Sequence, residues 1–433
     1  MNRNIFSNNA QEGEQFKSNL ATRHRWGRLW LLVFRASTLV GIIALALLLI
    51  NITNSAFGYA IIVNQVKPED LAINGISIEQ LHQVDLVYIL EQNLSRGIYR
   101  KLDAEAPLAE RERKEIYELV IELVVEPTVI HTWPLLDSLF KRSQVFAEVP
   151  AILAEEAKIN PQLNTEAYEV KMISWLDRDF LGSPQNSDPE KAGVRTAILG
   201  SLWIIAITIL VAFPIGVSAA IYLEEYAQDS WLNRLIRTNI NNLAGVPSII
   251  YGILGLSVFV RAMEHFTSGA LFGLVDPTTA NGRTILSAAF TLGLLVLPLI
   301  IINAQEAIRA VPNSLRQASF GMGATRWQTV WHHVLPNAMP GILTGTILSV
   351  SRALGETAPL IVVGASTYIT FDPEGPFSKF TTLPIQIYQW TARPQDEYRN
   401  IAAAAILVLL TMLLTLNATA ILLRNRFSKR QRL

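Results

Sequence analysis

Long stretches without a charged residue constrain the fold of this chain more than any other feature of its sequence. Five such stretches run for 22 to 31 positions each. They lie between Arg35 and Lys67, Arg195 and Glu224, Arg237 and Arg261, Arg283 and Glu306, and Arg399 and Arg424. A helix needs about 20 apolar residues to cross a bilayer, so each stretch predicts one membrane-spanning helix. A sixth candidate runs from Ala338 to Val363 and is the only one that contains charges, Arg352 and Glu356.

These six spans predict an all-α membrane protein. Half of the residues are apolar, and 36 Lys and Arg balance 36 Asp and Glu, which excludes a disordered chain or a nucleic-acid coat. The absence of Cys excludes disulfides, zinc-thiolate sites and a Cys nucleophile. No Gly-Lys-Ser/Thr phosphate loop, H-E-x-x-H or G-x-S-x-G motif occurs. We therefore predict no enzyme activity, no catalytic residue and no metal site in this chain.

The distribution of basic residues predicts the orientation of the spans. With the N-terminus inside, the inner connections and the two tails hold 15 Lys and Arg, against five in the short outer connections. An excess of basic residues is typical of cytoplasmic loops. We therefore predict that both termini are cytoplasmic. The first apolar run is too long for a signal peptide and is predicted to be an uncleaved anchor.

The predicted topology divides the chain into five parts. They are a cytoplasmic tail (1–29), the first transmembrane helix with its outer extension (30–63), an extracytoplasmic helical insertion (64–195), a core of five transmembrane helices that includes a cytoplasmic loop at 304–337 (196–423), and a basic cytoplasmic tail (424–433). Helical periodicity in the insertion is carried by Ile116, Leu119, Val120, Leu123 and Val124. Trp390, in the last outer loop, is predicted to be an interfacial anchor.

The cytoplasmic loop from Glu306 to Pro336 has the pattern of a short helix followed by a sharp turn. Pro312 can start a helix, on which Leu315, Ala318 and Ser319 would share one face. Gly321 and Gly323 permit a reversal of the chain before a second helical turn. Such a helix suits docking into a groove of a soluble partner. An ordinary connection between spans is the alternative interpretation.

This loop resembles the signature of ABC-importer permeases. The signature is matched by Gln317-Ala318-Ser319, Gly323 and Leu335-Pro336, and it departs from the usual pattern at Gln317 and His333. Longer segments at 245–255, 310–345, 351–360 and 383–390 resemble the PstA-type permease subunits of high-affinity phosphate importers. The resemblance is strong over residues 190–430.

The resemblance implies the type I ABC importer permease fold and a location in the bacterial plasma membrane. It implies an ATP-driven phosphate importer in which this chain forms half of the pathway and binds no cofactor itself. ATP and Mg would be used by a separate ATPase dimer (PstB-like). The other implied partners are a homologous permease (PstC-like) and an extracytoplasmic phosphate-binding protein (PstS-like). The residues implied to dock on the ATPase are Leu315, Arg316, Gln317, Ala318, Ser319, Gly321, Gly323, Leu335 and Pro336.

Arg352 and Glu356 are the charged residues predicted inside a span, four positions apart on one helix. Charges at mid-bilayer are costly, so they usually face a cavity or a partner. Arg352 can bind an oxyanion bidentately, and Glu356 would hold and release it. Thr357 adds a hydroxyl to this predicted substrate pathway. A purely structural ion pair between Arg352 and Glu356 is the alternative interpretation.

Three other functions stay open at this point. The chain could be the paralogous partner permease, or a permease for another oxyanion such as sulfate or molybdate. It could also be a membrane-anchored phosphate sensor or scaffold. Residues 51–195 hold 14 basic and 23 acidic residues, a net charge of −9. An acidic surface repels phosphate, so we interpret the insertion as a docking or structural element.

Overall fold

The computed structural model describes residues 5–161, 163–274, 282–365 and 368–430. Its strands are β1 (Phe57–Val63), β2 (Thr128–Thr132) and β3 (Tyr168–Ser174). Its helices are α1 (Ile5–Ala56), α2 (Gln83–Asn93), α3 (Arg96–Glu105), α4 (Arg113–Val120), α5 (Leu135–Phe140), α6 (Arg142–Ile159), α7 (Arg178–Gly182), α8 (Arg195–Ile221), α9 (Trp231–Ala244), α10 (Ser248–Gly255), α11 (Glu264–Thr267), α12 (Ile285–Arg309), α13 (Asn313–Gly321), α14 (Arg326–Thr329), α15 (Leu335–Leu354), α16 (Ala358–Val363), α17 (Leu383–Thr391) and α18 (Asp396–Arg430). The chain divides into two compact units after Asn54.

Helix α1 begins in the first unit, which ends at Asn54, and continues to Ala56. Its part from Arg23 to Ala56 is long and apolar enough to cross a bilayer. The chain changes from helix to strand at Phe57, so the predicted outer extension of this span ends in strand β1. A Cβ on Gly58 would lie 1.8 Å from the Trp133 carbonyl oxygen, so this close approach of two backbones requires glycine.

Residues 57–194, which we call the α/β domain, contain an antiparallel sheet of order β2-β1-β3. Ile61 in β1 is paired with residues of both neighbouring strands. The predicted insertion was wholly helical, and the sheet corrects that prediction. The strands were missed because they are five to seven residues long and β1 continues the first apolar stretch. The helical periodicity that begins at Ile116 is confirmed by α4 and the π-helical turn that follows it.

Two apolar cores stabilise the α/β domain. One lies between α2 and α4, with Leu86, Leu90 and Ile116 fully buried. The other lies between the sheet and α6, where Ile61 packs with Val145 and other apolar side chains. Each fully buried aliphatic side chain contributes about 1.5–3 kcal/mol, so these contacts account for the folding of this segment as a packed domain.

Helix α12 is the central helix of the remaining bundle. In its most apolar segment, 67% of the residues are buried inside the protein, whereas the corresponding fraction for α8 is 39%. It packs on α8, α10, α15 and α16. Gly255 lets α10 approach closely, since a Cβ there would lie 2.1 Å from the Thr291 hydroxyl oxygen on α12. The bundle therefore depends on small residues at its helix contacts, as is common between membrane helices.

The described residues contain five long apolar helices, or six if a bent pair counts as one span. The bent pair is α9 and α10, which meet at 105° near Pro247. Proline lacks an N–H and disfavours helical backbone at the residue before it, which explains the bend. The sixth predicted span also differs, because α15 ends at Leu354 and α16 is a separate helix. The six predicted spans thus correspond to five long helices and one bent pair.

Hydrogen bonds join the α/β domain to the helical bundle. Gln386 donates from Nε2 to the Gly193 carbonyl at 2.9 Å, and Asn400 donates from Nδ2 to Thr132 Oγ1 at 3.0 Å. Trp390 is fully buried and its ring lies 6.1 Å from that of Phe180. The prediction that Trp390 is an interfacial anchor is therefore wrong. Helix α17 instead uses this tryptophan to pack inside the protein.

We expect Gly255→Ala to destabilise the bundle by about 1–3 kcal/mol, because the added methyl group overlaps the Thr291 hydroxyl. Gly293→Ala is the matched control, since its Cβ would meet only Ala212, at 4.0 Å. That change should be neutral or stabilising by up to about 1 kcal/mol. Thermal unfolding of the protein in nanodiscs measures both. Equal effects of the two substitutions would contradict the close packing of α10 on α12.

Candidate functional site

The segment between α12 and α15 folds as a short helix followed by a tight turn. Helix α13 begins after Pro312, as predicted. Gly323 has a φ of +81°, which glycine adopts without strain. Thr325 then starts α14 through a capping box with Gln328. The turn was predicted at both glycines, but Gly321 is the last residue of α13 and only Gly323 has the reversed conformation.

Arg316 joins α13 to the ends of two other helices. Its guanidinium lies 2.7 Å from Glu225 Oε1, just after α8. The same group donates to the backbone carbonyls of Ile308 and Val311, at 2.9 and 2.6 Å. Both charged side chains are mostly buried, at 15% and 12% exposure. Because these contacts point back into the protein, Arg316 positions α13 and does not belong to its exposed face.

Ser319 also faces inwards. Its hydroxyl lies 2.9 Å from the hydroxyl of Thr329, on the helix that follows the turn, and both residues are buried. Ser319 is predicted to share one helix face with Leu315 and Ala318, but it is buried while those two residues are exposed. This hydrogen bond holds the two arms of the segment together.

The exposed face of the segment is partly apolar. We call this exposed face the α13 face, and its residues are Leu315, Gln317, Ala318, Phe320 and Met322. Met322 is 89% exposed, and Phe320 is 46% exposed. Exposed apolar side chains of this size on one short helix are typical of a contact surface. The sequence pattern indicated the helix, but Phe320 and Met322 were missed because the predicted face ended at Ser319, although Met322 continues it at i+7 from Leu315.

The last two residues of the signature, Leu335 and Pro336, start α15. Both are half-buried, and Leu335 packs in an apolar cluster with Ala338 and Ile342. Proline in the first turn of a helix loses no hydrogen bond. The structure therefore places these two residues inside the bundle and away from the α13 face.

A second group of charges was not found from the sequence. Glu224 pairs with Arg237 at 2.7 Å and with Arg309 at 2.8 Å, which joins the end of α8 to α9 and α12. Glu224 and Glu225 are adjacent in the sequence, and together they form ion pairs with three arginines, Arg237, Arg309 and Arg316. A pair of acidic residues directly after an uncharged span was the signal that could have indicated this cluster.

Arg352 and Glu356 are brought together as predicted. Arg352 Nε lies 3.5 Å from Glu356 Oε1. The two residues do not share one helix, however, because α15 ends at Leu354 and Gly355 caps it. Thr357 follows in the break and is half-buried. Thus both charges stand at a break between two helices, where the backbone departs from regular hydrogen bonding.

The Arg352 side chain is 56% exposed, while that of Glu356 is 17% exposed. An exposed ion pair at 3.5 Å is weak, since solvent screens it. More than half of the Arg352 side chain is therefore open to solvent. Nearby, Ser351 donates to Asn417 Oδ1 at 2.5 Å, which fixes the end of α15 against α18. Among the described residues no three His, Asp or Glu side chains are grouped as a metal site.

Several known proteins are similar to this chain. The phosphate transport system permease protein PstA of Pasteurella multocida is 32% identical over 53% of this chain and 76% of its own length. PstA of Haemophilus influenzae is 32% identical over 57% of this chain and 81% of its own length. The phosphate transport system permease protein PstC of Xylella fastidiosa is 33% identical over 47% of this chain and 65% of its own length.

A solved structure of the MetNI methionine ABC transporter, in an inward-facing conformation, contains a chain similar to this one. Its TM-score is 0.40, with 18% identity over 54% of this chain and 95% of that chain. Residues 212–433 match the family described as "Binding-protein-dependent transport system inner membrane component", which covers half of the sequence. The chain belongs to this family of binding-protein-dependent transport system inner membrane components.

Proposed function

We propose that this chain is the transmembrane permease subunit of an ATP-driven importer of inorganic phosphate. Two relatives named phosphate transport system permease protein PstA match it over three quarters or more of their own length, which supports the substrate. The observation that carries the proposal is Arg352, a largely exposed guanidinium at a break between two apolar helices. A chain with only an anchoring role has no need of a charge at such a place.

The substrate step begins with Arg352. Its guanidinium fork binds two oxygens of phosphate, an arrangement that an ammonium group does not reproduce. Glu356 holds the guanidinium through a weak ion pair until the anion arrives. The same carboxylate then repels the bound anion, which prevents phosphate from being trapped on the pathway. Thr357 supplies a hydroxyl at the same break.

The coupling step uses the α13 face, which docks on a separate ATPase subunit. A force on α13 is transmitted to the membrane helices through two contacts. They are the ion pair of Arg316 with Glu225 and the hydrogen bond of Ser319 with Thr329. Movement of those helices switches access from one side of the membrane to the other. ATP and Mg bind to the partner ATPase, and this chain supplies the mechanical connection.

The assembly contains this chain, a homologous permease subunit, two ATPase subunits and a phosphate-binding protein. It lies in the bacterial plasma membrane with both termini of this chain in the cytoplasm. The α/β domain is then extracytoplasmic, where the binding protein delivers phosphate. The excess of basic residues in the inner connections supports this orientation.

Two alternatives to this function are separated from it by different observations. A phosphate sensor or scaffold transports nothing, so it needs no anion contact within the membrane. A sulfate or molybdate permease has the same need for a guanidinium as a phosphate permease. Competition of phosphate uptake by sulfate and by arsenate separates these anions: we expect arsenate to compete and sulfate not to compete.

We expect Arg352→Ala to lower phosphate uptake roughly tenfold or more, because one charge-assisted bidentate contact is lost. Radiolabelled phosphate uptake by cells measures this. Arg399→Ala is the matched control, since Arg399 is also an exposed arginine in a short-range ion pair, with Asp396 at 3.3 Å. The control should transport normally. Normal high-affinity uptake by Arg352→Ala would rule out the anion contact.

We expect Gly323→Val to weaken the binding of the ATPase subunit or to uncouple ATP hydrolysis from uptake. Valine disfavours the φ of +81°, so the turn after α13 must change shape. Gly97→Val is the matched control, because Gly97 lies in helix α3 of the α/β domain and, like Gly323, has no atom within 4 Å of an added Cβ. Copurification and the ratio of hydrolysis to uptake are the measurements. The docking proposal fails if both variants stay fully coupled.

A further inference from the structure

The α/β domain contains an acidic cleft of about 600 Å³ that the proposed phosphate pathway does not use. The cleft lies between the edge of the sheet, the loop before α2 and the helix α4. Its charged lining residues are Glu69, Glu79, Glu169 and Lys171. Three carboxylates against one ammonium give the cleft a negative potential, which excludes phosphate as its ligand.

Tyr117 and Asn64 also line the cleft. Burial raises the pKa of the Tyr117 phenol, and the nearby carboxylate of Glu79 raises it further. The phenol therefore stays neutral and presents an aromatic surface with a hydroxyl group. Cations bind favourably against such rings.

Asn64 is an independent sign of a ligand. Only 6% of this residue is exposed, and its backbone N–H donates to the Ala167 carbonyl at 3.0 Å. Within the described part of the chain its side-chain amide has no hydrogen-bond partner. Because Asn64 lines the cleft, its amide oxygen and NH₂ group are available to hydrogen-bond a polar ligand there.

We infer that this cleft receives a lysine or arginine side chain of the extracytoplasmic phosphate-binding protein. The cation lies among the three carboxylates, its aliphatic stem packs on the apolar wall that includes Ile62, and the Asn64 carbonyl oxygen accepts one of its hydrogen bonds. The inference rests on the proposed function, which supplies the partner.

Two observations favour a protein side chain over a free cation. The net charge of −9 over residues 51–195 acts at long range and attracts a basic protein surface. The cleft belongs to a domain that is hydrogen-bonded to the helical bundle through Gly193 and Thr132, so a protein docked there is held on the permease. The cleft also lies outside residues 212–433, so this docking contact is not part of the segment that matches the family.

The first experiment measures ATPase stimulation by the phosphate-loaded binding protein, with the whole transporter in nanodiscs. Replacement of two cleft carboxylates, Glu79→Gln with Glu169→Gln, should raise the half-maximal binding-protein concentration about tenfold and leave the maximal rate unchanged. The control, Glu155→Gln with Glu166→Gln, removes the same charge from positions outside the cleft. Equal shifts in both double variants, or no shift in either, would overturn the inference.

A second experiment measures the binding of a small cation to the cleft in the absence of the binding protein. Saturation-transfer NMR on the same nanodiscs compares N-acetylarginine methylamide with its neutral citrulline analogue. The arginine derivative should bind to the unmodified protein and not to the Glu79→Gln, Glu169→Gln variant, while the citrulline analogue binds to neither. Equal binding of both compounds would refute the cleft as a cation site. If the binding protein stimulates no ATPase activity in the unmodified transporter, the proposed function fails, and NMR still decides on the cleft.

Discussion

Two adjacent carboxylates, Glu224 and Glu225, hold the candidate functional region together. They bind Arg237, Arg309 and Arg316, and so join the end of α8 to α9, α12 and α13. The Arg316 and Glu225 side chains are 15% and 12% exposed, so solvent screens this ion pair little, while Arg309 in its pair with Glu224 is 64% exposed. Loss of Arg316 would leave the buried Glu225 carboxylate without its partner, which costs about 3–5 kcal/mol, whereas Glu224 keeps one partner when either Arg237 or Arg309 is lost. The position of α13 is therefore fixed by electrostatics as well as by packing.

The same cluster explains how a short exposed helix can act on a membrane bundle. Helix α13 is held by Arg316 on one side and by the Ser319 hydroxyl on the other, and its remaining face is open. A force on that face reaches α12, the most buried of the long apolar helices among the described residues, and then α15, at whose other end Arg352 lies. The proposed coupling thus follows a continuous series of packed and hydrogen-bonded elements.

Sequence reasoning found the features that follow from the bilayer and from glycine and proline chemistry. The spans, the start of α13 after Pro312 and the turn at Gly323 could be predicted because local residues determine them. The inward positions of Ser319 and Arg316 could not be predicted. They depend on contacts with Thr329 and Glu225, which only tertiary packing brings close. The sheet was missed for a related reason: Phe57–Val63 is as apolar as the span before it, and only its pairing with distant strands makes it extended.

The central claim is that this chain forms part of a pathway through which ATP hydrolysis drives phosphate across the membrane. The most direct measurement is accumulation of radiolabelled phosphate inside vesicles that contain the assembled transporter, with phosphate-loaded binding protein outside and ATP on the side of the α13 face. The account predicts accumulation that requires ATP, requires this chain and persists in excess sulfate. Accumulation that is independent of ATP, or that sulfate abolishes, would contradict it.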